Sequence, residues 1–332
     1  MWRHHYGDGV RIGLLGAARI APAALIAPAR DLAGIEVASV AARDRVRAEA
    51  FAAEHNIAHV HESYESMIND DSLDAVYIAL PNSAHGRWSI AALEAGRHVL
   101  VEKPFAVNQN EAEEMVGVAE KTGRLLVEAF HWRYHPIAQR MLEIRAELGQ
   151  LISAEAEFST DIPAGDIRYD VALAGGAMMD LGCYPVHWLR VLAGEEPAIV
   201  DAVVDEGPPG IDETMVANLV FPCGLVARLR TSMEDAEEFT AFLDLEGEDG
   251  WLQAKNPLLP HLGNRVRAEL PGERVIDEEI EGLTTYHYQL DAFRHMVEDG
   301  LAPLTGGADA IANMAVIDAI YESAGLAVRA VN

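Results

Sequence analysis

The chain has 332 residues, half of them hydrophobic and 23% charged, which excludes a disordered polymer and suits two domains better than one core. Its 53 acidic residues against 25 basic ones leave a formal charge of −28. That balance argues against nucleic acid and anionic membrane surfaces as partners, because both are bound through clustered Lys and Arg.

The acid excess is steepest over 195–306, with 24 acids to 7 bases, so an anion site is expected in the first half. Two cysteines, Cys183 and Cys223, make neither a disulfide framework nor a zinc-ligand set. Residues 1–9 read as a polar tail without the apolar stretch of a signal peptide, and every apolar run is too short for a membrane span. A cytoplasmic protein of enzyme size is expected.

In chain order, 10–15 is an apolar strand ending at Gly16, and a helix follows to about residue 32. Strands are expected over 35–42, 73–80, 98–101 and 125–128, with helices over 44–54, 86–95 and 108–121 between them. This alternation predicts a Rossmann domain, a doubly wound parallel sheet, over 10–129. After about residue 150 the texture changes. Strand-like runs at 151–160, 198–205, 214–221, 225–232, 239–245 and 251–254 are mostly joined by short turns, which predicts a large open, mainly antiparallel sheet. Helices over 177–193, 286–298 and 309–330 complete an α+β domain spanning 130–332.

The first strand-to-helix turn, Gly16-Ala17-Ala18-Arg19-Ile20-Ala21, stands where a G-x-G-x-x-G/A dinucleotide turn belongs. Ala18 replaces the second glycine, so the motif by itself is weak, and a plain tight turn competes with it. After the second strand come Ala41-Ala42-Arg43-Asp44. A guanidinium there accommodates the extra phosphate of NADP, whereas a carboxylate binds the ribose of NAD. Arg43 therefore favours NADP, with NAD as the alternative, and Asp44 is either a ribose ligand or a helix cap.

Leu80-Pro81-Asn82 with His85, and Glu102-Lys103-Pro104, follow later parallel strands at the ends where such sheets bind ligands. The chain holds three lysines against 22 arginines. A lysine retained at a strand end points to a need for a compact, titratable ammonium. Asp180, Tyr184 and His187 are spaced four and three apart, which puts a carboxylate, a phenol and an imidazole on one helical face, although Pro185 must start or kink that helix. His131 and His135 lie four apart, but Pro136 follows and no carboxylate completes a zinc set, so no metal is expected.

These residues resemble the glucose–fructose oxidoreductase, inositol dehydrogenase and rhizopine-catabolism (Gfo/Idh/MocA) family. The resemblance rests on the first turn, Pro81-Asn82 with His85, Glu102-Lys103-Pro104, the Asp180 to Tyr184 segment, Tyr286-x-x-Gln289-Leu290-x-Ala292-Phe293, and Thr305-Gly306 through Asn313. It runs over essentially the whole chain from Val10. Many sugar and inositol dehydrogenases of the family carry His where this chain has Tyr184. Tyr there, with Arg43, resembles the dimeric dihydrodiol dehydrogenases and NADP-dependent D-xylose dehydrogenases.

The resemblance implies hydride transfer between a nicotinamide and a carbon bearing a hydroxyl, on a sugar or related cyclic alcohol or diol. Tyr184 would exchange the proton and Lys103 would orient the substrate oxygen and depress the phenol pKa. Asp180 would orient the sugar or the lysine. Arg168, Arg133 and His187 are further candidates for substrate contact. The dinucleotide would lie on Gly16, Ala18, Arg19, Ile20, Arg43, Leu80, Pro81, Asn82, His85, Glu102 and Lys103. The second-domain sheet resembles a surface for a homodimer or homotetramer. Two alternatives share these residues: a carbonyl reductase running the opposite way, and a catalytically silent NADP-binding sensor.

Overall fold

The computed structural model describes residues 9–234 and 239–330, with only the backbone given at 199–200. Of the tail expected over 1–9, all but Gly9 lies outside the described residues. The chain divides into two compact units.

The first unit takes the chain up to Ala106, then Asn110–Phe130 and Tyr286–Ala310. Its elements are β1 (Val10–Leu15), α1 (Ala27–Asp31), β2 (Ile35–Ala41), α2 (Arg45–His55), β3 (His59–Val60), α3 (Tyr64–Ile68), β4 (Ala75–Ile78), α4 (His85–Glu94), β5 (His98–Val101), α5 (Gln109–Thr122, in this unit from Asn110) and β6 (Leu126–Glu128). The strands form one parallel sheet in the order β3-β2-β1-β4-β5-β6. That is the doubly wound order, in which ligands bind outside the carboxyl ends of the strands. All residues of β4, β5 and β6 are buried, as a sheet covered on both faces requires. The helix expected after β1 is broken into a π-turn, Pro22–Ile26, and the short α1, because Pro22 and Pro28 lack the amide hydrogens a continuous helix would use. The sheet unit also gains a late segment beyond the 10–129 read from sequence: Thr305 donates through Oγ1 to the Glu128 carbonyl at 2.7 Å, pinning the 304–307 loop beside β6.

The second unit takes residues 107–109, 131–285 and 311–332. It holds α6 (Pro136–Arg145), β7 (Leu151–Ser159), α7 (Cys183–Ala193), β8 (Ala198–Glu206), β9 (Asp212–Val220), β10 (Val226–Ser232), β11 (Thr240–Gly247), β12 (Gly250–Lys255), β13 (Arg265–Leu270) and β14 (Arg274–Glu278). α8 (Thr285–Asp299) and α9 (Ala308–Ser323) follow, α8 belonging to the first unit after its first residue and α9 to the second from Ile311. The sheet order is β14-β13-β12-β11-β7-β10-β9-β8, antiparallel except for the parallel β7–β10 pair. Burial alternates along β11 and β13, the pattern of a sheet with one packed and one solvated face. α7, with Trp188 and Leu189 enclosed, packs against β7.

A buried polar knot fixes the approach to α7. Asp212 is fully enclosed and accepts from the Met178 amide at 2.6 Å, the Tyr321 hydroxyl at 2.9 Å and Arg329 Nη2 at 2.7 Å. Burial pushes its carboxyl up to about 6, against the pull of Arg329 and the other donors. Met178 opens a π-turn, Met178–Gly182, that runs directly into α7. Pro185 stands in the first turn of α7, so the missing amide hydrogen falls where the π-turn has already widened the ladder.

Candidate active site

In the first unit the carboxyl ends of β1, β2, β4 and β5 carry the cofactor candidates along one edge of the sheet. Gly16 has φ +104, and a Cβ there would stand 2.5 Å from the Ala79 carbonyl oxygen, so the turn after β1 needs glycine. Ala18 and Ile20 are half-buried and Arg19 is exposed. No side chain caps the helical turn beginning at Ala21; Pro22 has no amide hydrogen, and the Ala21, Ala23 and Ala24 amides bond the Ala18 and Ile20 carbonyls. After β2, Arg43 is exposed and its amide bonds the Tyr64 phenol. Asp44 is the cap of α2: its Oδ1 accepts from Val46 at 2.9 Å and Arg47 at 3.3 Å. Of the two roles open for Asp44, the helix takes it.

Leu80, Pro81 and Asn82 leave β4 half-buried. His85 opens α4 and is enclosed, with Nδ1 2.8 Å from the Pro104 carbonyl and Nε2 3.0 Å from the Leu80 carbonyl. It clips the loop after β4 to the loop after β5. Burial pushes its imidazole down to about 4, although the two carbonyls pull the other way. Glu102 accepts the Tyr77 hydroxyl, and burial plus this carboxylate hold the Tyr77 phenol well above its ordinary range. Burial and Glu102 raise Tyr286 likewise. Lys103 is half-buried and the Lys103–Pro104 peptide is cis. The residues suit a phosphorylated dinucleotide: a glycine-only turn after β1 and two exposed guanidinium groups, with the nearest carboxylate occupied as a cap.

In the second unit Tyr184 is enclosed on α7, edge-on to Phe158 of β7 at 5.7 Å between ring centres. Its hydroxyl is 3.0 Å from Nε2 of His131, and His131 Nδ1 is 2.7 Å from Thr285 Oγ1. Asp180, in the π-turn before α7, accepts from Arg168 Nε at 2.5 Å, and Arg168 Nη1 reaches Asp166 at 2.9 Å. Burial opposes the Arg168 charge, but the Asp180 and Asp166 carboxylates outweigh it and hold the guanidinium above its ordinary value. The structure therefore joins Asp180 and Arg168 in one ion pair within this unit. His187 is enclosed one turn past Tyr184, where Nδ1 accepts from Trp132 Nε1 at 2.9 Å. Arg133 is half-buried in the turn His131–Tyr134.

Reading the sequence missed His131, which was weighed only as a zinc ligand. Its partners lie 53 and 154 residues away, so spacing could not reveal them. Its own turn, a histidine between two buried aromatic residues, Phe130 and Trp132, was the available signal. Among the described residues no group of three or more His, Cys, Asp or Glu side chains is placed to hold a metal ion, and no helix is long and apolar enough to cross a membrane.

The chain matches the model of an oxidoreductase family with an NAD-binding Rossmann fold over residues 10–130, and the GFO/IDH/MocA C-terminal domain over 138–253. It is 38% identical to D-xylose 1-dehydrogenase (NADP(+)) 2 of Haloferax volcanii, across 94% of this chain and 96% of that protein. It is 33% identical to trans-1,2-dihydrobenzene-1,2-diol dehydrogenase of Macaca fascicularis, across 67% of each. A 3-ketoreductase from Actinomadura kijaniata, solved in complex with NADP and TDP-benzene, superposes with a TM-score of 0.86 at 27% identity, covering 95% of this chain and 98% of that one. Matched in both halves and over nearly its full length, the chain belongs to the Gfo/Idh/MocA family of oxidoreductases.

Proposed function

We propose that this protein is an NADP-preferring dehydrogenase acting on a CH–OH group of a sugar or related cyclic alcohol or diol, in the cytoplasm. The observation that carries the reading is the Tyr184 phenol, enclosed on α7 with its oxygen held at 3.0 Å by His131. Relatives named as a D-xylose dehydrogenase, a dihydrodiol dehydrogenase and a sugar-nucleotide 3-ketoreductase support the substrate class.

In this reading the bound nicotinamide supplies the acceptor or donor of the hydride. Gly16, Ala18, Arg19 and Ile20 hold the pyrophosphate at the helix start, and Arg43 holds the extra phosphate that distinguishes NADP. Leu80, Pro81, Asn82, His85 and Glu102 shape the neighbouring strand-end loops. Tyr184 takes the substrate hydroxyl proton during oxidation and returns it during reduction. Lys103 orients the substrate oxygen by donating a hydrogen bond to it. Asp180 and Arg168, as an ion pair, orient the polyol, with Arg133 as a further contact. His187 serves by holding Trp132 behind the helix that carries Tyr184. The eight-stranded sheet offers its solvated face, with Glu155 and Arg228 paired at 3.0 Å, as the surface for a homodimer or homotetramer.

The test is cofactor reduction followed by absorbance, with pentoses, hexoses, anhydrosugars, inositols and cyclic trans-diols, each offered with NADP and with NAD. Turnover with NADP that falls by about two to four orders of magnitude in Lys103→Met and Tyr184→Phe, at unchanged NADP affinity, is the expected result. Near-normal turnover in both variants would sink the reading.

A further inference from the structure

We propose that His131 is the second member of a proton relay behind Tyr184, so that the phenol passes a proton on rather than storing one. The inference rests on the role given to Tyr184 above.

The direction of the relay follows from three contacts. Tyr184 Oη is 3.0 Å from His131 Nε2, His131 Nδ1 is 2.7 Å from Thr285 Oγ1, and Thr285 Oγ1 is 3.5 Å from the Leu258 carbonyl oxygen. A carbonyl only accepts, so the Thr285 hydroxyl hydrogen must point at Leu258 for that contact to be a hydrogen bond. Thr285 then accepts from His131, which places the imidazole hydrogen on Nδ1. Nε2 is left with its lone pair facing Tyr184, and the phenol donates to it. The opposite orientation turns the Thr285 hydrogen to Nδ1 and leaves the carbonyl contact without a hydrogen. The 2.7 Å His131–Thr285 bond is met in either orientation, and the Leu258 carbonyl at 3.5 Å adds a weaker preference for the first, in which Nε2 faces the phenol bare. Thr285 is fully enclosed, and Tyr184 and His131 nearly so.

An ordinary phenol has a pKa near 10, so about one in a thousand is ionised at neutral pH. A tyrosine acting alone as base must wait for that fraction. With His131 behind it, the substrate hydroxyl proton forms a new bond to Tyr184 Oη while the original Oη–H bond breaks toward Nε2. Tyr184 is neutral before and after, the imidazole becomes imidazolium, and the substrate C–H electron pair leaves with the hydride as in the proposed reaction. Reduction runs the same transfers backwards. The relay ends on a carbonyl that cannot carry a proton further, so His131 holds one proton and returns it through Tyr184. His131 is thus a positioning residue that also accepts the proton.

The experiment has two arms. In the ligand-free enzyme, nitrogen-15 NMR of the histidine rings reads the tautomer directly, with Tyr184→Phe identifying the His131 signal by its shift. Protonated Nδ1 with a bare, hydrogen-bonded Nε2 is expected; protonated Nε2 overturns the relay. In turnover, with D-xylose and NADP as the probe, His131→Gln keeps an acceptor able to hold the phenol but cannot take up a proton. A fall in kcat of about a hundredfold or more at unchanged KM, with a proton inventory that changes from curved to linear, is expected. Wild-type kcat in His131→Gln means that His131 only holds the phenol in place and overturns the relay while leaving Tyr184 as the base. Wild-type kcat in Tyr184→Phe instead overturns the underlying reading.

Discussion

Arg329 places Nη2 2.7 Å from Asp212 Oδ1, with both side chains enclosed, and so ties the stretch after α9 to the first residue of β9. Arg329 also lies over the Tyr321 ring at 4.3 Å and donates through Nε to the Gly175 carbonyl at 2.9 Å. A buried carboxylate that loses its counter-charge is costly, far more so than the pair is stabilising. Arg329→Met is expected to lower the unfolding free energy by about 3–5 kcal/mol in urea titrations. Adding Asp212→Asn to it should recover part of that loss, because the unpaired charge goes with it. A double variant no more stable than the single one would assign the loss to packing around Tyr321 instead.

Gly16→Ala tests the turn after β1. The added methyl meets the Ala79 carbonyl oxygen at 2.5 Å and the backbone sits at φ +104, so the turn must move. Strain of this kind costs about 1–3 kcal/mol. Calorimetric titration with NADP should show affinity weakened by about tenfold or more, with a smaller fall in unfolding midpoint. Unchanged affinity would place the pyrophosphate elsewhere.

Arg43→Ala separates the two cofactors. Its guanidinium is exposed beside a carboxylate that already serves as a helix cap, so it has the place and the freedom to meet a phosphate. A charge-assisted hydrogen bond contributes about 1.5–3 kcal/mol, which is about ten- to a hundredfold in dissociation constant. NADP binding should weaken by that factor while NAD binding changes little. Equal losses for both cofactors would remove Arg43 from the choice between them.

The parts of the fold legible in the sequence were those whose burial is local. β5 reads at once, because His98–Val101 is a continuous enclosed run between Gly96 and Glu102. β13 and β14 went unread: Arg265–Leu270 alternates as β11 does but is only six residues and densely charged, and Arg274–Glu278 buries none fully, so it carries no apolar signal. α6 was hidden by Pro136, which punctuates a sequence but here occupies the first helical position, where its missing amide hydrogen costs nothing. The helix expected over 309–330 stops at Ser323, because Gly325 at φ +77 turns the chain and the Leu326 amide closes back on the Tyr321 carbonyl. In the candidate site, strand ends announced Gly16, Arg43 and Lys103. His131 and Thr285 depend on long-range packing that no local pattern encodes.

His135 gives acid sensitivity a specific source. Its Nδ1 accepts the Ile137 amide at 3.1 Å as the cap of α6, and the Leu283 carbonyl faces the ring, so the neutral form carries its hydrogen on Nε2. Protonating Nδ1 would set two N–H groups against each other. Burial lowers this imidazole from 6.5 to about 4; the Leu283 carbonyl opposes the shift and His261 adds to it. The folded pKa is the depressed one, so as pH falls the unfolded chain takes up the proton first. The stabilising contribution is complete above about pH 6.5 and is lost as pH drops toward 4, beyond which both states hold the proton. The loss amounts to about 3 kcal/mol over that window. His135→Asn retains a good capping oxygen without a titrating group. Urea unfolding measured across the window should show a shallower decline for His135→Asn than for the parent chain, with parallel curves below it. Parallel curves throughout would mean that folding leaves the His135 pKa where it is in the unfolded chain, and that neither burial nor the cap of α6 shifts it.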